Sequence, residues 1–258
     1  MSALMRIGTI AGNTLREAVR NKLLYALLIF AVLLILSGVV LSSLSYVESE
    51  RILHDVGMGA IRLLGVAIAI FVGVGLIHKE VDRRTIFTIL AKPLSRAEFL
   101  LGKFAGLVLT VWLQMAIMIL VFAGVSLAMG APLTAGHGAA FLLLAVELAV
   151  MVALATFFSA FTTPMLASFF SCGLWVVGNL TRDLRDIGAQ SPVESVQTLT
   201  RVLHRVLPDL DAFNLTIEAA HGLPIAASDV WLGIAYGAGY SAVVLVAAVS
   251  IFERRDFR

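Results

Sequence analysis

The sequence predicts an all-α membrane protein with six transmembrane helices. Three observations carry that prediction. The chain of 258 residues is 60% hydrophobic and only 14% charged, with a mean hydropathy of +0.97. A soluble domain is nearer half apolar and a quarter charged. The excess is also gathered into runs long enough to cross a bilayer. In hydrocarbon every backbone polar group must be satisfied within its own segment, which selects helices.

Residues 3–21 read as an interfacial helix on the membrane surface. Leu4, Ile7, Ile10, Ala11, Leu15, Ala18 and Val19 recur at helical spacing, with Arg6, Arg16, Glu17 and Arg20 between them. Basic residues on such a helix suit anionic head groups. The alternative is an ordinary lead-in to the first span. A cleavable signal is not expected, because the first apolar run starts near Leu23, has full span length and lacks a small-residue cleavage site.

The six spans are 23–41, 61–77, 104–129, 139–161, 165–180 and 230–252. The second carries Arg62, expected to snorkel at its outer end. The third is long enough to tilt. The fourth carries Glu147. The fifth is short, and only Thr162, Thr163 and Pro164 separate it from the fourth. A re-entrant pair is the other reading of the fourth and fifth. In the last span Gly233 and Gly237 form a small-xxx-small pair, suited to close helix packing and, as one use of it, dimerisation.

Lys and Arg set the orientation. They gather before the first span (Arg6, Arg16, Arg20, Lys22), between the second and third (Lys79, Arg83, Arg84, Lys92, Arg96, Lys103) and in the tail (Arg254, Arg255, Arg258). Six spans place all three segments on one side, which predicts cytoplasmic N- and C-termini. The long segment 181–229 carries four Arg against seven acids and falls on the other side. Within it, Ser191, Pro192 and Glu194 spell a capped helix start, with an apolar stripe running to Leu207 and Pro208 as the stop. A second helix is expected from about Asp211 to Ala220, ended by His221 and Gly222. Neither helix has a core of its own, so both should lie on the outer leaflet or cap the bundle. No linker or internal repeat is visible, and residues 1–258 read as one transmembrane domain.

Residues 79–103 form the densest block of charge. Glu80 and Asp82 oppose Arg83 and Arg84, and Thr85–Leu90 gives a short amphipathic helix with Ile86, Phe87, Ile89 and Leu90 on one face. Lys92 and Pro93 end it. Ser95 and Glu98 then spell a capping box for a new helix that leads into the third span. A helix, a break and a helix tied to two spans make a lever that a cytoplasmic partner can push. The plainer reading is a solvated positive-inside loop.

Chemistry-bearing residues are few. There is no phosphate-binding loop: Gly102 and Lys103 are followed by Phe104, and Ala97 stands where the first glycine is required. The five histidines, at 54, 78, 137, 204 and 221, are scattered, and the lone cysteine is Cys172. Met115 and Met118 are three apart, a spacing that suits packing far more often than a soft metal. No metal or cofactor is expected on this chain. Ser159 and Ser171 have no histidine–acid pair near them in sequence. Glu147 is the one acid well inside a span, where a charge costs about 2.5–3.5 kcal/mol on insertion scales. It reads either as a substrate or ion contact or as a carboxyl hydrogen-bonded to a neighbouring helix. Gln114 and Asn179 are secondary candidates for the same pathway, and interhelical hydrogen bonding is the other reading of both.

Several segments resemble one family. Residues 80–86 (EVDRRTI), 90–96 (LAKPLSR) and 101–103 (LGK) are similar to the loop after the second span in permease subunits of type-2 ABC exporters. The tail 252–257 (FERRDF) and residues 207–213 (LPDLDAF) are similar to that group as well, so the resemblance covers nearly the whole chain. Within the class the chain most resembles the multicopper enzyme maturation and gliding motility permeases. The resemblance implies a permease of the bacterial cytoplasmic (inner) membrane that binds no nucleotide itself. Partner ABC ATPase subunits would hold ATP and Mg. They would grip the coupling helix, for which the resemblance marks Glu80, Arg83, Arg84, Ile86, Phe87, Leu90, Lys92, Pro93 and Arg96. A second permease chain, identical or related, would complete the pathway. Nucleic acid is not an expected partner. Two other functions stay open: a membrane scaffold acting on periplasmic partners through 181–229, and an intramembrane lipid-modifying enzyme using Glu147.

Overall fold

The computed structural model describes residues 3–45, 48–82, 95–191 and 193–254. Among them every regular element is a helix. In chain order these are α1 (Ala3–Val19), α2 (Lys22–Ser42), α3 (Ser49–Asp82), α4 (Arg96–Ala128), α5 (Ala135–Ser159), α6 (Pro164–Asn179), α7 (Thr181–Gln190), α8 (Glu194–Val206), α9 (Thr216–Ala220) and α10 (Ala227–Arg254), with a single 3₁₀ turn at Asp211–Phe213 before α9. Helices α2, α3, α4, α5 and α10 are each long and apolar enough to cross a membrane, and α6 with α7 makes a sixth if that pair, bent by 50°, is one span.

The span ends differ from those read off hydropathy. Helix α3 starts at Ser49, twelve residues before the apolar run at Ile61. Its first turns alternate by helical period: Leu53, His54 and Met58 are buried, while Arg51, Asp55 and Gly59 are exposed. Hydropathy averages those faces and misses the helix. Helix α4 begins at Arg96 with the expected cap: Ser95 Oγ accepts from the Glu98 amide at 3.1 Å, and the Ser95 amide donates to the Glu98 carboxylate at 3.2 Å. At about 1.5 Å per residue, α3 and α4 are each roughly 50 Å long, well beyond a hydrocarbon layer of about 30 Å.

The expected cap at Ser191 is displaced. Helix α8 starts at Glu194 with Val193 at its N-cap. Ser191 Oγ instead accepts from the Val193 amide at 3.3 Å, and Gln197 Nε2 donates to the Ser191 carbonyl at 2.9 Å. Only short pieces, the 3₁₀ turn and α9, form where one helix over 211–220 is expected. Helix α7 is an addition that the sequence reading lacks.

The ends of the bundle are fixed by contacts. Phe99 of α4 stacks on Phe252 of α10 at 6.3 Å, so the start of α4 and the end of α10 share one end. Helix α1 is at that end too, laid along the first turns of α4. Gly102 and Gly106 make this approach possible. A Cβ on Gly106 would sit 2.6 Å from the Ala11 carbonyl oxygen and 3.0 Å from Ala11 Cα, and one on Gly102 would meet Ile10 Cβ at 2.7 Å. Arg6 pairs with Glu98 at 3.4 Å, and buried Lys103 lies 3.9 Å from the Glu17 carboxylate. We call this the basic end. Thus α1 is docked on α4 as well as amphipathic; Leu4 and Met5 are exposed.

A second small-residue pair works at α10. Gly233 faces Leu143, and Gly237 faces Val146 and Phe213. The pair is used for packing α10 onto α5 within the chain. The core joins α3 and α5, whose spanning windows are each 67% buried, against 22% for α2 and α10.

The close approach at Gly106 generates a prediction. Gly106→Ala has backbone, not a flexible side chain, in its way. It should cost about 1–3 kcal/mol by overpacking and loosen α1, read as a lower unfolding temperature and faster proteolysis within residues 3–19. Gly124→Ala, on the same helix with nothing within 4 Å of the new carbon, should leave both readouts unchanged or slightly improved.

Candidate functional site

The most concentrated polar chemistry inside the bundle sits where α3, α5 and α6 meet. Glu147 lies at the middle of α5 and is fully buried. Arg62 reaches it from α3 in a two-pronged contact, Nε to Oε2 at 2.8 Å and Nη2 to Oε1 at 2.9 Å. Trp175 of α6 adds a third donor, Nε1 to Oε1 at 3.0 Å. Arg62 Nη2 also donates to Asn179 Oδ1 at 2.7 Å, and Asn179 Nδ2 donates back to the Trp175 carbonyl at 2.8 Å. The Leu210 carbonyl lies 3.5 Å from the same guanidinium nitrogen.

This corrects the expectation for Arg62. Its side chain does not snorkel to the outer boundary; only 14% of it is exposed, and its fork is committed to Glu147. The physical reason is cost. A lone carboxylate at mid-span is expensive, and a planar guanidinium can satisfy both its oxygens at once. With Trp175 added, Glu147 accepts three hydrogen bonds. Both oxygens are engaged by side chains of two other helices, which suits an interhelical lock.

The turn after α8 closes over this cluster. The Leu210 amide donates to the Gly178 carbonyl at 3.1 Å, and Leu210 and Phe213 are buried. Arg182 of α7 pairs with Asp209 at 3.0 Å and Asp211 at 3.2 Å. Tyr236 Oη of α10 accepts from the Asp209 amide at 2.9 Å, and its ring stacks on Phe213 at 5.8 Å. Residues 207–213 are therefore a plug that joins α6, α7 and α10.

A second polar contact stands at the end opposite α1. His54 of α3 and His137 of α5 are not scattered: His137 Nε2 lies 3.2 Å from His54 Nδ1. The Thr134 amide, which can only donate, points at His137 Nδ1 at 3.1 Å. That leaves the proton on Nε2, donated to His54 Nδ1, and His54 Nε2–H then faces the Ala131 carbonyl at 3.2 Å and Ser126 Oγ at 3.1 Å. Ser126 donates to the same carbonyl. The chain of donors ties α3, α4 and α5 together. Nothing in the spacing of 54, 126 and 137 announces it.

The remaining candidates divide. Glu147 and Asn179 are brought together through Arg62 and Trp175, two residues the sequence reading did not select. Gln114 of α4 is buried apart from them, and its Oε1 has no hydrogen-bond partner among the described residues. Met115 and Met118 are part of the hydrophobic core. Ser159 and Ser171 are buried, and among the described residues their hydroxyls are unbonded. Among the described residues, no three His, Cys, Asp or Glu side chains come together in a way that could hold a metal ion. Of the coupling residues, Arg83, Arg84, Ile86, Phe87, Leu90, Lys92 and Pro93 lie outside the described residues, as does Pro192. Glu80 belongs to α3 and Arg96 opens α4, but their side chains lie outside the described set too.

The family model of the ABC-2 family transporter proteins matches residues 8–257. That is nearly the whole chain, so the chain belongs to this family and is a transmembrane component of an ABC transporter, a membrane subunit without an ATPase of its own. No curated protein matches the chain.

The lock predicts a specific pattern of stabilities. Removing one partner of a buried, hydrogen-bonded pair costs about 3–5 kcal/mol, whereas apolar replacement of both is often near neutral. Glu147→Ala and Arg62→Ala should each lower the unfolding temperature of the detergent-solubilised protein sharply. Arg62→Met with Glu147→Leu should recover most of the loss. A loss in the double variant equal to the sum of the two singles would show that the pair does not act as a unit.

Proposed function

We propose that this chain is the permease subunit of an ATP-driven exporter, worked by separate ATPase subunits that grip residues 79–103 on the cytoplasmic side. Two permease chains, identical or related, would line the pathway. Family membership implies the partner ATPase. The observation that carries the coupling assignment is the geometry on either side of the segment. It is flanked by α3 and α4, the two longest helices among the described residues. Each is roughly 50 Å long against a hydrocarbon layer of about 30 Å, and α1 is fastened to α4 by Gly102, Gly106, Glu98 and Lys103.

In this reading, closure of the ATPase subunits displaces the segment and both helices together. Helix α1 follows α4 because backbone meets backbone at Gly106. Helix α3 carries α5 and α6 with it through Arg62. Transmission needs no flexible joint inside the bundle. The positive charge of 79–103 supports a cytoplasmic position for the driven end and for both termini.

A second reading is favoured by α8. Val196, Leu199 and Val202 on this amphipathic helix are exposed, as a surface for a membrane partner requires. It acts on periplasmic proteins in that case, with the bundle as its mount.

Charge reversal separates the two. Arg83→Glu with Arg84→Glu should abolish co-purification of the ATPase, or leave it bound with substrate-stimulated hydrolysis lost. Undiminished stimulated hydrolysis in that variant sinks the coupling assignment. Deletion of 193–206, which spares the buried plug at 208–213, should leave ATPase coupling intact and impair only a partner held through α8.

A further inference from the structure

We propose that the junction of α1 and α2 is a binding site for the phosphate-bearing head group of an anionic phospholipid. A cavity of about 880 Å³ opens there, walled by Asn13, Arg16, Glu17, Arg20, Asn21 and Lys22. Gly75 of α3 forms its back. That volume is in the range of small-molecule sites.

The charge on the walls is specific. Arg16 is in the last turn of α1, Arg20 follows its end directly, and Lys22 opens α2. Among the described residues none of the three forms an ion pair, although Arg6 and Lys103, which face α4 and α1 across their interface, do. Asn21 spends its side-chain oxygen on the Leu23 amide at 3.1 Å. Among the described residues of the wall Glu17 is the one carboxylate, and it pairs with Lys103. Three cations against one acid, in a concave site at the end of a span, suit a phosphodiester.

Lipid is favoured over a soluble anion by the neighbouring surface. Leu23 and Tyr25, in the first turn of α2 beside the cavity, are about half exposed. Most of α2 is left uncovered by the rest of the chain. Acyl chains can lie along that face while the head group sits in the cavity, and Tyr25 falls at the level where interfacial aromatics gather.

The test is native mass spectrometry on the full chain, stripped of lipid in detergent and then offered phosphatidylglycerol, phosphatidylcholine or inorganic phosphate. Wild type should retain phosphatidylglycerol in preference to phosphatidylcholine. Each cation near a membrane surface is worth about fivefold in affinity, so R16Q/R20Q/K22Q should bind phosphatidylglycerol about a hundredfold more weakly and lose the preference. If that variant misfolds, Lys22→Gln alone, at an exposed position, should still show about a fivefold loss. Arg201→Gln, an exposed cation on α8, should change nothing. Retention of phosphatidylglycerol unaltered in the triple variant overturns the proposal. Displacement of lipid by millimolar inorganic phosphate reassigns the cavity to a soluble anion. Loss of the ATPase subunit from the triple variant, with lipid binding intact, reassigns it to protein docking.

Discussion

A guanidinium and a carboxylate facing each other inside hydrocarbon constrain everything around them. Neither Arg62 nor Glu147 is affordable alone at that depth, so the helices bearing them must stay in register. The bidentate contact fixes α3 against α5 in rotation as well as distance. Trp175 and Asn179 then bring in α6, and the Leu210 carbonyl brings in the plug. The histidine pair repeats the device nearer one end, joining α3 and α5 to α4. Two sets of directional bonds in a medium without competing water therefore hold four helices as one body. Apolar packing alone, non-directional and not favoured over lipid contact, would not set their register.

Small residues supply the remaining attachments. Gly102 and Gly106 seat α1 on α4, and Gly233 and Gly237 seat α10 on α5. In lipid, where burying leucine gains little over leaving it among acyl chains, close backbone approach is the main source of attraction between helices. The two pairs therefore fasten the two ends of the chain to its core. Ion pairs at Arg6 and at buried Lys103 reinforce the first attachment, the partly exposed Arg6–Glu98 pair only weakly.

What the sequence made legible follows from what is local. The Ser95–Glu98 cap is a contact of neighbours three apart, and it forms as read. The apolar runs mark the membrane-crossing helices because hydropathy is additive along the chain. The start of α3 escaped because its first turns are amphipathic, and a run of hydropathy does not see a face. The Ser191 cap failed because Ser191 Oγ accepts from the Val193 amide and its carbonyl is taken by Gln197 Nε2, so the helix opens later, at Glu194. Glu147 was conspicuous for its cost, but its partner was not. Arg62 is 85 residues away, near enough to a span end to pass for a snorkelling side chain. The histidine pair has the same character, separated by 83 residues with no motif to join them.

These attachments bear on where a transported molecule can pass. The spanning windows of α3 and α5 are each 67% buried within one chain. Their facing side chains are packed apolar residues, crossed by the Arg62–Glu147 lock. A path through that core would have to break the pair and leave each charge alone in hydrocarbon. Helices α2 and α10 bury only 22% of their windows and carry long rows of exposed apolar side chains. A path formed between two chains leaves every directional bond of each bundle intact. It also lets each bundle move as the single body its polar locks make of it. Under the proposed function, the cost of unpairing Arg62 and Glu147 favours a pathway at the boundary of two chains over one through either bundle.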